Sequence, residues 1–348
     1  MTQIINVSTE LTNKLQSVID NQLKKQNLKG LSVAIRQSDE IIWKGVSGIS
    51  YDSVQIDDNM LFGIASITKT FTTAIILQLE DEKRLSLNDK INKWLPPFPN
   101  IDNTITISQL LAHTSGVYNY LNNPDLDSIV LKHNPDKLFT PEELILKFVN
   151  KPNYKPGEIF EYNNTDFILL GMIIEKVTKN SISEEYENRI FRPLKLKHTF
   201  FYPYQKLNYE IAHPWHNSNQ NDKLSDFYIN IKTFPMIWSF IWTAGGIFST
   251  VEDLSNWGYN LFCGNILSET ALKKMITPIK LLSSMGLGIG IDKDNFNGKT
   301  CYGHAGGYFY SSDLVYIPAN KVTICVLANS LTENIRSISS ELFKVFKT

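Results

Sequence analysis

The chain has 348 residues, 43% hydrophobic and 20% charged, the composition of an ordinary globular protein with one large domain or two interleaved ones. A formal net charge of −1 and the absence of long basic runs argue against a nucleic acid as the main partner. No stretch approaches the roughly 20 apolar residues needed to cross a bilayer, so no transmembrane segment is expected.

At the N-terminus no basic flank precedes an apolar block, so no signal peptide is visible; the expectation is a cytoplasmic protein or a mature exported form without its leader. Ile4, Leu11, Leu15, Val18, Ile19 and Leu23 recur at the spacing of an amphipathic helix. Leu31–Arg36 and Ile41–Val46 read as the two strands of a hairpin turning at Gln37-Ser38-Asp39-Glu40.

Leu61–Glu80 then carries Ile67, Phe71, Ala74, Ile75 and Leu79 at helical spacing, with no Pro or Gly after Gly63. Ser66 and Lys69 lie one turn apart on that helix and share a face. A serine at a buried helix start with an amine one turn on is an activated nucleophile in outline. The lysine can take the hydroxyl proton if its pKa is lowered, and the helix N-terminus favours the developing negative charge.

Up to about residue 200 the pattern is mostly helical, at Ser108–Leu111, Pro141–Val149, Asp166–Val177 and Ser183–Ile190. Residues 201–240 mix aromatics, Asn and Pro without a clean period and read as loop-rich. Ser249-Thr250-Val251-Glu252 reads as a capping box opening a helix through Phe262, and Ser268 caps another through Ile276. Gly286–Ile291, Thr300–Gly303, Leu314–Ile317 and Val322–Ala328 alternate as strands, with a turn at Asn297-Gly298, and Ser337–Phe346 is a last helix. The expected fold is mixed α/β (α+β), an antiparallel sheet flanked by the N- and C-terminal helices with a mostly helical region inserted. Residues 1–70 and 245–348 would form the sheet-containing part, residues 71–244 the helical part, and the active site would lie between them.

Two further segments can serve a Ser-Lys pair, which needs a second proton carrier and a way to stabilise an oxyanion. Tyr162-Asn163-Asn164 sits on a loop after the Pro156-Gly157 turn, with Thr165 placed to cap the next helix. His304-Ala305-Gly306-Gly307 ends a strand-like run, where small residues let a substrate backbone approach and pair with a sheet edge.

Ser66-x-x-Lys69, Tyr162-x-Asn164 and His304-x-Gly306, in this order, resemble the three motifs of the serine penicillin-recognising enzymes. That superfamily includes class C β-lactamases, D-Ala-D-Ala carboxypeptidases, D-aminopeptidases and related esterases. SQLLAHTSGVYNY, PGEIFEYNNTDFILLG, AGGIFSTVEDLSNW and YGHAGGYFYSSDLVYIP extend the likeness over roughly residues 10–330. It is closest to the soluble D-Ala-D-Ala carboxypeptidases, because the third motif begins with His instead of Lys.

The resemblance implies a β-lactamase/transpeptidase-like fold and a metal-free hydrolase without cofactors, acting through an acyl-serine. Ser66 would attack, Lys69 and Tyr162 would move protons, and Asn164 would orient Lys69 and the substrate. His304 would take the electrostatic place of the third-motif lysine. The backbone N–H groups of Ser66 and Gly307 would form the oxyanion hole, and Tyr118, Gly306 and Trp242 would contact the substrate. The partner would be a small molecule or peptide: a D-amino-acid peptide, an ester or a β-lactam. A D-Ala-D-Ala carboxypeptidase-like or D-stereospecific peptidase is the leading expectation. A carboxylesterase, acyltransferase or β-lactamase is the alternative, and a non-catalytic binding member is the alternative from another class.

One departure concerns charge. The family's carboxypeptidases place an arginine near the third motif to hold a substrate carboxylate, but GLGIGIDKDNFNGK offers only Lys293 and Lys299. His113 reads as structural, His213-Pro214-Trp215-His216 as a weak metal pair, and Trp238 and Phe240 as core or cleft. Short basic patches at Lys195–His198 and Lys273-Lys274 read as solvated faces. Cys263, Cys301 and Cys325, without a Cys-x-x-Cys, suggest no zinc site or disulfide framework.

Overall fold

A computed structural model describes residues 8–126, 137–217, 224–226, 235–292 and 296–347. In chain order, α1 (Thr9–Lys25) leads into β1 (Gly30–Gln37) and β2 (Glu40–Tyr51), then the short β3 (Val54–Gln55) and β4 (Phe62–Gly63). Helices α2 (Thr68–Asp81), α3 (Ile107–Leu111), α4 (Pro141–Phe148), α5 (Asn164–Thr178) and α6 (Ile182–Tyr186) follow. Short strands β5 (Phe200–Phe201), β6 (Trp215–Asn217) and β7 (Leu224–Asp226) precede α7 (Pro235–Gly245), β8 (Ile247–Ser249), α8 (Val251–Phe262) and α9 (Glu269–Ile276). Last come β9 (Gly290–Asp292), β10 (Cys301–Tyr308), β11 (Tyr310–Ile317), β12 (Val322–Ala328) and α10 (Ile335–Phe346).

The main sheet runs in the order β3-β2-β1-β12-β11-β10-β9, with every pairing antiparallel. Its central strands are buried on both faces, so their alternation divides two cores instead of separating core from solvent. Val33, Ile35, Ile324 and Val326 face one way, toward Leu15 and Ile19 of α1 and Ile338 and Leu342 of α10. Ala34, Cys325, Leu314 and Leu327 face the other, joining the larger core of α2, α5 and α8. The antiparallel sheet between terminal helices, with helices inserted, is the expected fold.

Several elements differ from their expected form. Gly286–Ile291 is not a continuous strand; only Gly290–Asp292 pairs with β10. A Cβ on Gly286 would lie 2.2 Å from the Met275 oxygen, and one on Gly288, at φ +62°, 2.1 Å from Thr73 Oγ1. The glycines let this segment lie down against the helices, and their spacing imitates strand alternation. β10 runs on through the HAGG sequence to Tyr308, so the third motif lies inside a strand rather than after it. Residues 235–240 of the expected loop are helical, part of α7, and 218–223 and 227–234 lie outside the described residues, as do Ile4 and Lys293. Thr250, not Ser249, caps α8, its hydroxyl accepting from the Asp253 N–H at 3.3 Å. No helix among the described residues is long and apolar enough to cross a membrane.

Candidate active site

Ser66 sits in a 3-10 turn, Ala65–Ile67, that runs directly into α2. Ala65 takes φ +45°, an uncommon conformation for a residue with a Cβ, and the tight turn sets Ser66 at the helix mouth. One turn on, Lys69 is completely buried. Its Nζ lies 3.0 Å from Ser66 Oγ, 2.9 Å from Asn164 Oδ1 and 2.8 Å from the Ala244 carbonyl oxygen.

Burial pushes the Lys69 pKa well below its usual value, with the Asp166 carboxyl opposing. The three contacts hold the nitrogen in place, and a neutral amine there can accept the Ser66 proton.

Tyr162 approaches Ser66 from the loop before α5. Its phenol faces the Ser66 hydroxyl, while 36% of the residue is open at the cleft mouth. Burial raises the phenol pKa above its usual value, with the nearby Ser66 hydroxyl opposing, so Tyr162 keeps its proton and can give it away. Asn163, not Thr165, caps α5, accepting from the Thr165 N–H at 2.8 Å; its own side-chain amide donates to the Val117 carbonyl. Thr165 instead accepts from the Tyr120 N–H and donates to the Tyr118 carbonyl. This lattice fixes Asn164 as the first residue of the helix, within reach of Lys69.

His304 lies on β10, 8% exposed, its ring centroid 6.0 Å from that of Tyr162. Its Nδ1 is 2.5 Å from the Ala305 oxygen. Burial first, then the Lys69 charge, drops its pKa to about 3. At neutral pH the imidazole is uncharged, so it offers hydrogen bonds and not the fixed cation of a lysine. Gly306 leaves no room for a side chain, since a Cβ would meet the Ile64 oxygen at 2.5 Å; Gly307 faces open space.

Beneath these residues lies a buried pair. His113 Nδ1 accepts from the Asn163 N–H at 3.2 Å and lies 3.4 Å from Asp166 Oδ2, while Asp166 Oδ1 accepts from Ser115. Burial pushes Asp166 well above and His113 well below their usual values, disfavouring the charged form of each.

Two lobes open at Ser66. One, of about 460 Å³, is lined by His304, Gly306, Met285, Glu333 and Arg336. The other, of about 120 Å³, is lined by Leu121, Asn164, Ala244, Gly245 and Tyr308. Ser66, Tyr162 and Gly307 border both.

Ser66, Lys69, Tyr162, Asn164, His304, Gly306 and Gly307 thus converge on one cleft. Tyr118 and Trp242 line neither lobe. The Tyr118 hydroxyl donates to the Asn122 carbonyl, and Trp242 is buried against Gly171. Trp238 and Phe240 are core.

An arginine does stand in the cleft, although not on the 286–299 segment. Arg336 enters from the start of α10 with Nε 2.9 Å and Nη2 2.8 Å from Asp313 Oδ1, and Nη1 3.9 Å from Asp292 Oδ2. No local sequence signal marks it, because it is the neighbour of His304 only through the pairing of β10 with β11 and the docking of α10. His213 stacks on Tyr51 at 3.9 Å, and no group of three or more potential metal ligands occurs among the described residues. Cys263, Cys301 and Cys325 are unpaired thiols.

The family model described as Beta-lactamase matches residues 15–338. A curated relative, Protein flp of Staphylococcus aureus (strain MW2), is 35% identical over 206 residues, 58% of this chain and 40% of that protein. The match thus spans less than half the length of such relatives. The crystal structure of a D-stereospecific amidohydrolase from Streptomyces sp. superposes with TM-score 0.84 at 27% identity, covering 95% of this chain and 98% of that one. A D-amino acid amidase from Ochrobactrum anthropi SV3, complexed with L-phenylalanine, shares the fold with TM-score 0.83 at 22% identity, covering 97% and 99%.

Proposed function

The chain belongs to the beta-lactamase family, a serine hydrolase by fold, and from that premise we propose that it is a D-stereospecific amidase or peptidase acting through an acyl-Ser66 intermediate. The observation that carries this reading is the buried Lys69 nitrogen, held against Ser66 Oγ by Asn164 and the Ala244 carbonyl.

In the proposed cycle the neutral Lys69 amine takes the Ser66 proton as Oγ bonds to the substrate carbonyl carbon. The oxyanion is met by the N–H groups of Ser66 and Gly307 at the mouth of α2. Tyr162, still protonated, donates to the leaving amine as the C–N bond breaks, and the Lys69 ammonium returns a proton to it. Water then adds to the ester carbonyl, the neutral Lys69 amine taking its proton, and Lys69 passes that proton to Ser66 Oγ as the ester C–O bond breaks. Asn164 holds Lys69 and accepts from the substrate amide. His304 hydrogen-bonds within the larger lobe.

The charge of that lobe bears on the substrate. Arg336 is engaged by Asp313 and approached by Asp292, and Glu333 stands exposed beside it. One cation among three carboxyl groups is a poor receptor for a free carboxylate, which favours neutral leaving groups such as amides or internal D-peptide bonds over a terminal D-Ala acid. The 27% identical D-stereospecific amidohydrolase, matched over nearly its full length, supports the same choice.

The deciding experiment pairs stereochemistry with mass spectrometry. A D-amino-acid p-nitroanilide should turn over at least tenfold faster than its L-enantiomer, and a fluorescent penicillin should leave an adduct on Ser66. Both signals should vanish in Ser66→Ala. Turnover that survives Ser66→Ala, or a preference for the L-substrate, would overturn the assignment.

A further inference from the structure

A cavity of about 650 Å³, larger than either lobe at Ser66, lies elsewhere, between α9, the Pro278–Leu281 turn and the Ser108–Thr114 stretch. Its volume is in the range of small-molecule sites. Leu87, Ala112, Ile279, Leu281 and Leu287 make its apolar lining, and Leu281 is 43% exposed. Lys273, Lys274 and Lys280 stand around it, and no acidic side chain lines it.

The charges there are only partly answered. Lys274 is paired with Glu80 at 2.8 Å, whereas neither Lys273 nor Lys280 has an acidic partner among the described residues. An apolar hollow beside two unanswered cations fits a ligand with the opposite layout, a hydrocarbon body with one negative head. A cationic amphiphile would meet repulsion there, and a purely polar anion would leave the hollow wet.

We propose that this hollow is a second binding site, taking an acyl chain that carries a single anionic head group, carboxylate or phosphate. Backbone hydrogen bonds link the walls of the hollow to the neighbourhood of the Ser66 cleft without joining the two spaces. Gly157 N–H donates to the Thr114 oxygen at 2.7 Å and Glu161 N–H to the His113 oxygen at 2.9 Å, next to Tyr162. On the other side, Ile279 N–H donates to the oxygen of Met285 at 2.8 Å, and Met285 lines the larger lobe. The site stands apart from the Ser66 chemistry and does not depend on the substrate assigned above.

Isothermal titration of the full chain tests this with decanoate and decyl phosphate, each below its micellar concentration, against decyltrimethylammonium. Both anions, or one of them, should bind one to one, at least tenfold more tightly than the cation; the tighter anion identifies the head group. The double charge reversal Lys273→Glu/Lys280→Glu should weaken anion binding at least tenfold with an unchanged melting temperature. Thr277→Trp, at an exposed position on the lining, should do the same by filling the hollow. Equal binding of anion and cation, or full affinity in both variants, would overturn the proposal. So would binding that disappears once a phosphonate occupies Ser66, because the ligand would then lie in the catalytic cleft.

Discussion

Lys69 Nζ lies 2.8 Å from the carbonyl oxygen of Ala244, and the chain turns toward it at Trp242, where φ is 29° and ψ −121°. Such angles are costly for a residue with a side chain and persist only where packing enforces them. Here the enforcement comes from α5, whose Gly171 lies under the indole. A Cβ at residue 171 would meet Trp242 Cζ3 and Thr243 Oγ1 at 2.6 Å. Gly171→Ala should therefore cost about 1–3 kcal/mol by overpacking. It should also lower kcat more than it changes KM, because the Ala244 carbonyl moves off Lys69. A variant that melts and turns over like the wild type would show that the turn at Trp242 does not position the lysine.

The depressed pKa of Lys69 sets the acid side of the activity profile. The base form is the neutral amine, so kcat/KM should rise with pH through a midpoint below the ordinary lysine value, where Lys69 loses its proton. Lys69→Arg keeps a cation that cannot be deprotonated. It should lose turnover by roughly 10²–10⁴, the usual contribution of a positioned base, and lose the acid limb with it. Steady-state rates across pH decide the point.

His304 ties stability to pH. Its imidazole is buried neutral with a pKa of about 3, against 6.5 for the same group in the unfolded chain. A histidine with a lowered folded pKa leaves the folded state with fewer bound protons than the unfolded one between those two values. Stability should then fall as pH drops from 6.5 toward about 3, by up to about 4 kcal/mol from this group alone. His304→Gln should flatten that part of the curve of melting temperature against pH. An equally steep curve in the variant would assign the acid sensitivity to other groups, with buried His113 the next to test.

Among the described residues Asp166 is the carboxyl whose charge opposes the depression of Lys69, while burial favours its protonated form. Asp166→Asn reproduces that neutral form, with an amide oxygen for Ser115 and an N–H toward His113. Its kcat/KM should stay within about threefold of the wild type and its acid limb should not move. Asp166→Ala leaves the Ser115 hydroxyl buried without its acceptor and should cost about 1–3 kcal/mol. If the Asn variant instead moves the limb to lower pH, the carboxylate is ionised in the native protein and holds Lys69 charged.

How far the sequence carries is plain at particular residues. Ser66 and Lys69 are legible because helical spacing puts them on one face, and β1, β2 and β12 because their apolar runs are long. The Gly-interrupted run at 286–291 misleads because Gly, Leu and Ile alternate for the sake of close helix contact, not pleating. Trp242 is misread as a cleft aromatic because no local pattern distinguishes an aromatic packed against Gly171 of α5 from one exposed in the cleft. Arg336 escapes notice because its nearness to His304 is a product of sheet order and helix docking, over a separation that no short motif spans.

That arginine also supplies the sharpest test of substrate charge. Asp313 is fully buried, bonded by both Arg336 and Ser339, and removing it would take away the closest partner of the Arg336 guanidinium and leave a buried gap. Asp292 is the better probe, because its carboxylate lies 3.9 Å from Nη1 and is partly exposed. Asp292→Asn removes one negative charge from beside Arg336 without emptying the position. A substrate with a free terminal carboxylate should gain affinity, its KM falling by about two- to fivefold, the worth of one partly exposed charge pair. The matching amide, which has no charge to meet there, should keep its KM. The amide should be the better substrate of the wild-type enzyme, and the gap should narrow in the variant. A wild-type preference for the free acid would mean that Arg336 receives carboxylates in spite of Asp313 and Asp292, and the preference for neutral leaving groups would then be wrong.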